Sequence, residues 1–254
     1  MQINSLEGRR IIITGGASGM GAGLVRNFPG LGAKVVSLDR DEPRGTELAR
    51  ESGARFVPVD VADKASVDRA FEEATAILGG LDVLVHAAGI APFTPSENFP
   101  VGTWNEVMAV NALGTVLANQ AAFAAMKASG GAILNFASFA GVIGLANKSA
   151  YAASKGAVLA WTRTIAQEWG AFNITVNAIA PAIWTPMFDK TRSELSPAAL
   201  AELDARFARD IPLGGKLGDI DRDFVPAMAF YCSAGARFIT GQTISIDGGK
   251  LMAR

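Results

Sequence analysis

The stretch "RRIIITGGASGMG", residues 9–21, limits the possible folds more than any other part of the chain. Ile11, Ile12 and Ile13 are β-branched and consecutive, with no polar residue alternating between them. Such a run reads as a strand buried on both faces, which is the setting of a parallel sheet. Three glycines follow at Gly15, Gly19 and Gly21, and the residues after them read as a helix. A strand, a tight glycine turn and a helix N-terminus in that order bring free N–H groups and a positive dipole end to one point, which suits a pyrophosphate. The spacing is G-x-x-x-G-x-G, not G-x-G-x-x-G. The strand–turn–helix context gives the pattern its meaning, not the glycines alone.

The rest of the chain repeats the alternation. "AKVVSLD", "ARFVPVD", "LDVLVHAAG", "GAILNFAS", "NITVNAIAP" and "QTISID" read as six more strands. Helix-length segments lie near 43–52, 64–79, 103–129, 149–170 and 219–233. Strand–helix alternation predicts an α/β, Rossmann-like doubly wound fold: a seven-stranded parallel sheet flanked by helices on both faces. The 254 residues suit one domain over 1–254. Residues 186–218 carry charges with Pro and Gly breaks and lack a clear strand, so they read as a helical substrate lid.

Composition excludes several function classes. Net charge is −1 with no basic block, which disfavours nucleic acid as a partner. One histidine and one cysteine leave no usual metal-ligand set, and no disulfide can form within the chain. Residues 107–126 hold no charge, a length that would span a bilayer. Asn111, Asn119, Gln120 and the many alanines argue instead for a helix buried in protein. The N-terminal stretch shows no signal-peptide core, so the expected location is the cytoplasm, with no membrane partner.

Asp39 ends the second strand, where a carboxylate accepts hydrogen bonds from ribose hydroxyls and repels a 2′-phosphate. This favours NAD. Arg40 follows at once and could pair with that phosphate, which keeps NADP open. Asp60 closes the third strand and is placed to receive an adenine amino group, or else is a solvated strand-end carboxylate.

Taken in order, "TGGASGMG", "DV" at 60–61, "HAAG" at 86–89, Asn111, Ser138, "YAASK" at 151–155, "PAIWTP" at 181–186 and "IDGG" at 246–249 resemble the short-chain dehydrogenase/reductase family, in its short single-domain form. The match runs nearly the whole length. The resemblance implies hydride transfer between a secondary alcohol or ketone and a nicotinamide cofactor. It makes Tyr151 the acid/base and Lys155 its electrostatic partner and a holder of the nicotinamide ribose. Ser138 is implied to bond the substrate oxygen, and Asn111 to hold a relay water. Chemistry supports the Tyr–Lys pair separately: four residues apart on a helix, the two share a face, and an ammonium favours a phenolate. The implied cofactor contacts are Gly15, Ser18, Gly19, Met20, Gly21, Asp39, Arg40, Asp60, Val61, Ala87, Ala88, Gly89, Tyr151, Lys155, Pro181, Ile183 and Thr185.

Two positions depart from the family pattern. His86 stands where Asn is usual, and the expectation is that it takes over strand-to-strand hydrogen bonding without a chemical role. Ala182 stands where Gly is usual after Pro181; if the site needs positive φ, alanine is strained there, and otherwise it only narrows the nicotinamide pocket.

On a helical wheel, Lys155, Val158 and Thr162 fall with Tyr151, while Ala153, Ala157, Ala160 and Thr164 gather opposite. That small face asks for a close-packed helix from a second subunit, so a homo-oligomer, by family resemblance a tetramer, is expected. Phe139, Ile143, Leu145, Trp184, Met187 and Phe188, with Ser138, are the candidate substrate lining. Their apolar character suits a hydrophobic or cyclic secondary alcohol. Arg192, Arg206 and Arg209 leave open a carrier-linked substrate, as for a 3-oxoacyl-carrier-protein reductase. The non-enzyme alternative is a cofactor-binding sensor or scaffold.

Overall fold

The computed structural model describes residues 5–252, except for the side chains of Met187, Lys190 and Thr191. Seven strands form one sheet: β1 (Arg10–Thr14), β2 (Lys34–Asp39), β3 (Arg55–Pro58), β4 (Val83–His86), β5 (Gly131–Phe136), β6 (Ile174–Pro181) and β7 (Thr243–Ile246). The order is β3-β2-β1-β4-β5-β6-β7, and every pairing is parallel. All seven strands fall where the sequence places them.

Helices α1 (Gly19–Asn27), α2 (Glu42–Ser52) and α3 (Lys64–Leu78) connect the first four strands. A longer helical stretch follows, made of α4 (Val101–Val107), a π-helical segment Met108–Leu113 and α5 (Gly114–Met126). After β5 come α6 (Ala140–Ile143) and α7 (Ser149–Trp169). The segment expected to form a lid carries α8 (Pro186–Ser193) and α9 (Pro197–Asp210), and α10 (Val225–Cys232) precedes β7.

Alternate residues of the central strands feed two cores, one on each face of the sheet. Ile11, Ile13, Val83, Val85 and Leu134 point into one core with Leu24, Phe28 and Met228. Ile12, Leu84 and Ile133 point into the other with Phe71, Leu117, Met126 and Trp169. The unbroken apolar run at 11–13 therefore has a physical cause: both faces of β1 are covered. The stretch Val101–Met126 passes the length and hydropathy test for a membrane span. Its middle is clamped by protein, with Asn111, Thr115, Ala118, Asn119 and Ala122 buried against α3, α7 and the sheet.

The strand order reverses between β1 and β4, which are neighbours whose following helices leave on opposite sides of the sheet. A parallel sheet opens a crevice at that point, beyond its strand C-termini. The residues that leave β1, β2 and β4 at that edge are Gly15, Arg40 and Ala87.

Candidate active site

The glycine turn sits at this crevice. Gly15 has φ +69°, and a Cβ there would lie 2.7 Å from the Ala88 backbone nitrogen. A Cβ on Gly21 would lie 2.2 Å from the Gly15 carbonyl oxygen. Both positions exclude a side chain because the turn is folded tightly onto the end of β4. Gly19 also has positive φ, but a Cβ on it would meet nothing within 4 Å, so this glycine borders open space at the start of α1. Ser18, the N-cap of α1, makes no capping bond with its side chain. The turn thus offers a glycine cradle and the N-terminus of a nine-residue helix, which fits the pyrophosphate of a dinucleotide.

A cavity of about 670 Å³ runs from this turn across the C-terminal edge of the sheet. Gly15, Ser18, Gly19, Met20, Gly21, Asp39, Arg40, Asp60, Val61, Ala87, Ala88, Gly89, Ser138, Tyr151, Lys155, Pro181 and Thr185 all border it. Arg44, Val59, Ile90, Ala91, Val110, Phe136, Ala137 and Pro186 border it too and were not anticipated. Most of these flank anticipated residues, so contiguity was the available signal. Arg44 had none: the first turn of α2 brings it back toward Asp39.

Asp39 is held in place by backbone donors. Its Oδ2 accepts from Ala17 N at 3.0 Å and its Oδ1 from Asp41 N at 3.1 Å. A carboxylate offers about four acceptor positions, so each oxygen keeps capacity for a further donor. Arg40 is exposed. Asp60 is exposed as well, with Oδ1 accepting from Ala62 N at 2.9 Å.

Tyr151 and Lys155 lie in the first turns of α7, as their spacing requires, with Lys155 Nζ 5.7 Å from the Tyr151 ring centroid. Lys155 is buried and donates from Nζ to the Phe136 carbonyl at 2.6 Å. Burial pushes its ammonium down to about 8. The Tyr151 hydroxyl, the buried end of the side chain, faces Ser138. Burial raises the phenol above its usual range, and Ser138 pulls part of the way back. The expectation that Lys155 would lower the phenol is therefore not met by the protein alone. With its ammonium spent on a carbonyl, burial is the larger effect.

Asn111 lies in the π-helical segment between α4 and α5. Its Oδ1 accepts from Ile90 N at 2.8 Å, while Nδ2 donates to Ile90 O at 2.8 Å and to Ser154 Oγ at 3.0 Å. The amide thus fastens the loop after β4 to α7. Both of its donor hydrogens are used, so only its oxygens remain to receive a water.

His86 is 1% exposed, and its Nδ1 lies 2.8 Å from Thr14 Oγ1. This ties β4 to β1, the strand-to-strand bond expected. Nε2 has no partner among the described residues. Burial holds the imidazole neutral, with its pKa lowered to about 3. An unfolded chain binds a proton on this histidine below about 6.5, while the folded one does so only near 3. Stability must therefore fall as pH drops through that window and stay flat above it. His86→Asn is expected to flatten this acid limb in denaturant titrations from pH 7 to 4 and to leave the activity profile near neutrality unchanged. A hundredfold activity loss in a folded variant would give the ring a chemical role.

Several candidates lie elsewhere. Ile183 packs its side chain into the core beside Phe224 and Met228, and its backbone bridges Gly218. Ala182 does not fall among the residues of positive φ, so alanine carries no backbone strain there. Trp184 and Phe188 meet edge to face with centroids 5.1 Å apart, and Phe188 reaches Phe207 of α9 at 5.7 Å. These two rings hold the lid segment together and do not border the cavity. Ile143 and Leu145 are exposed, and Phe139 is half-buried beside Ser138. The side chain of Met187 lies outside the described residues. Arg192 pairs with Asp204, and Arg209 with Asp210. No cluster of three or more metal-ligating side chains occurs among the described residues.

A family model described as "Enoyl-(Acyl carrier protein) reductase", of the short-chain dehydrogenase/reductase group, matches residues 15–250. The chain belongs to the short-chain dehydrogenase/reductase family. It is 40% identical over 221 residues to "Inactive 2-(S)-hydroxypropyl-CoM dehydrogenase 2" of Xanthobacter autotrophicus, covering 86% of this chain and 95% of that one. It is 35% identical to "Trans-4-hydroxycyclohexanecarboxylate dehydrogenase" of Sinomonas cyclohexanicum, over 94% and 91% of the two chains. Among solved structures, a short-chain type dehydrogenase/reductase from Mycobacterium ulcerans superposes with a TM-score of 0.87 at 29% identity, covering 97% of this chain and 90% of that one. This short-chain dehydrogenase/reductase is accordingly an oxidoreductase that acts with a nicotinamide cofactor.

Proposed function

We propose that the enzyme interconverts a hydrophobic or cyclic secondary alcohol and its ketone, with NAD as cofactor. The observation that carries this reading is the convergence of Ser138, Tyr151 and Lys155 on one wall of the cavity whose far end is the glycine cradle and Asp39. When bound, the nicotinamide accepts or returns the hydride of the alcohol carbon. The glycine turn and the α1 N-terminus hold the pyrophosphate, and Asp39 receives the adenosine ribose hydroxyls. Lys155 is the donor placed for the second ribose. Tyr151 moves the alcohol proton at its phenolic oxygen, and Ser138, beside that oxygen, donates to the substrate oxygen as charge develops there.

The similarity to a dehydrogenase named for hydroxycyclohexanecarboxylate supports a cyclic substrate. The first relative above is called inactive, which bears on the sensor alternative. Retention of all three polar groups in one cavity favours turnover for this chain. A panel of cyclic secondary alcohols, followed by absorbance of the reduced cofactor, tests the reading; no turnover of any member with either dinucleotide overturns it.

The enzyme is proposed to assemble through α7. Ala153, Ala160 and Thr164 are exposed and Ala157 half-covered, whereas Lys155, Val158 and Thr162 on the other side are buried. Ala157→Glu places a carboxylate where helices would close together, at a desolvation cost of several kcal/mol. Light scattering is expected to show an oligomer for the native protein and a smaller species for the variant.

A further inference from the structure

We propose that Lys250 is a specificity-determining residue that recognises an anionic group, a carboxylate or its chemical equivalent, on the substrate. This deepens the reading of the cavity as an alcohol dehydrogenase site and rests on it. Lys250 Nζ stands 5.3 Å from the ring centroid of Phe139 and 5.5 Å from that of Phe207. Phe139 follows Ser138 directly, and Phe207 belongs to α9 of the lid segment. The ammonium therefore lies between the residue that follows Ser138 and helix α9, beside the cavity and not on its lining.

Among the described residues, Lys250 forms no ion pair, whereas Arg192, Arg209 and Arg222 nearby in sequence or on the lid side each pair with an aspartate. The one carboxylate in its own turn, Asp247, is committed elsewhere: Oδ1 accepts from Gly249 N at 2.9 Å and Oδ2 from Leu251 N at 2.7 Å. These two bonds wrap the backbone around Asp247 and fix the base of the Lys250 side chain between them. The same turn is docked on the lid, since Leu213 N donates to Gly248 O at 2.9 Å. A cation held by a rigid turn against two aromatic rings is partly stripped of water, and an anion brought to it gains more than it would at a fully solvated lysine.

The test uses trans-4-hydroxycyclohexanecarboxylate and its carboxamide, which share shape and differ in charge. The native enzyme is expected to prefer the carboxylate. Lys250→Met keeps an unbranched apolar chain one atom shorter, able to lie against both rings without the charge. It should lower kcat/KM for the carboxylate about tenfold or more, mainly through KM, and leave the carboxamide unchanged. Lys250→Arg should retain the preference. Equal losses on both substrates, no loss on the carboxylate, or no native preference would overturn the proposal. Should neither compound be turned over, the dehydrogenase reading of the site is in question but Lys250 is still tested. Calorimetry with cyclohexanecarboxylate on the NAD-loaded protein then decides. Binding weakened about tenfold in Lys250→Met supports the assignment; equal binding, or none to the native protein, overturns it.

Discussion

Tyr151→Phe is expected to bind the dinucleotide with near-native affinity and to lose about 10²–10⁴-fold in kcat. The substitution removes one hydroxyl and keeps the ring that Lys155 faces at 5.7 Å. It also removes a neighbour of Ser138, so Ser138→Ala should lose much of the same rate, and the double variant should lose much less than the product of the two. Fluorescence titration with the cofactor and single-turnover kinetics separate binding from chemistry. Retention of a tenth of native kcat would end the acid/base assignment.

The direction of reaction adds a sign. Burial raises Tyr151 and lowers Lys155 to about 8, so near neutrality the folded protein holds a neutral phenol beside an ammonium. A neutral phenol is an acid ready to protonate a ketone oxygen. Alcohol oxidation needs the phenolate, and its rate should climb with pH as the phenol ionises. Carbonyl reduction should hold its rate toward lower pH. The His86 imidazole, neutral down to about 3, adds no limb near neutrality.

The sheet was legible because each strand is short, apolar and bounded by turn residues, and a parallel order follows from helices placed between them. The cavity's cofactor end was legible for a similar reason: the glycines, Asp39 and the "HAAG" loop each stand at a strand's end, where local sequence fixes position. The substrate end was not. Trp184 and Phe188 are apolar beside a catalytic wall, yet Trp184 meets Phe188 edge to face and Phe188 packs on Phe207 of α9, nineteen residues further along the chain. Apolar character is shared by pocket lining and lid packing, and only long-range contacts distinguish them. Asn111 marks a different limit. Its residue type fits a relay, but its bonds to Ile90 and Ser154 depend on a π-helical register that periodicity does not show. Lys250 directly follows a recognised motif, "IDGG", with no sign that its chain would turn toward Phe139.

The proposed preference for NAD rests on Asp39. The native enzyme should favour NAD over NADP in kcat/KM, because a carboxylate at the end of β2 repels a 2′-phosphate brought to the adenosine ribose. Its position is not adjustable: Ala17 N and Asp41 N grip its two oxygens, so it cannot swing aside. Asp39→Ser removes the repulsion, and exposed Arg40, together with Arg44 across the same cavity rim, becomes able to pair with the phosphate. A charge-assisted bond contributes up to about 3 kcal/mol, so the NADP-to-NAD ratio could rise roughly a hundredfold. Serine is too short to keep the bond to Ala17 N, which also steadies the glycine turn. Both cofactors should therefore weaken somewhat, and the ratio, not either absolute rate, is the quantity to read. Steady-state kinetics with both dinucleotides on both proteins give it. A native preference for NADP would transfer the role to Arg40. A variant that loses NAD activity and gains none with NADP would show that neither arginine reaches the ribose, and that the carboxylate served mainly to brace the turn.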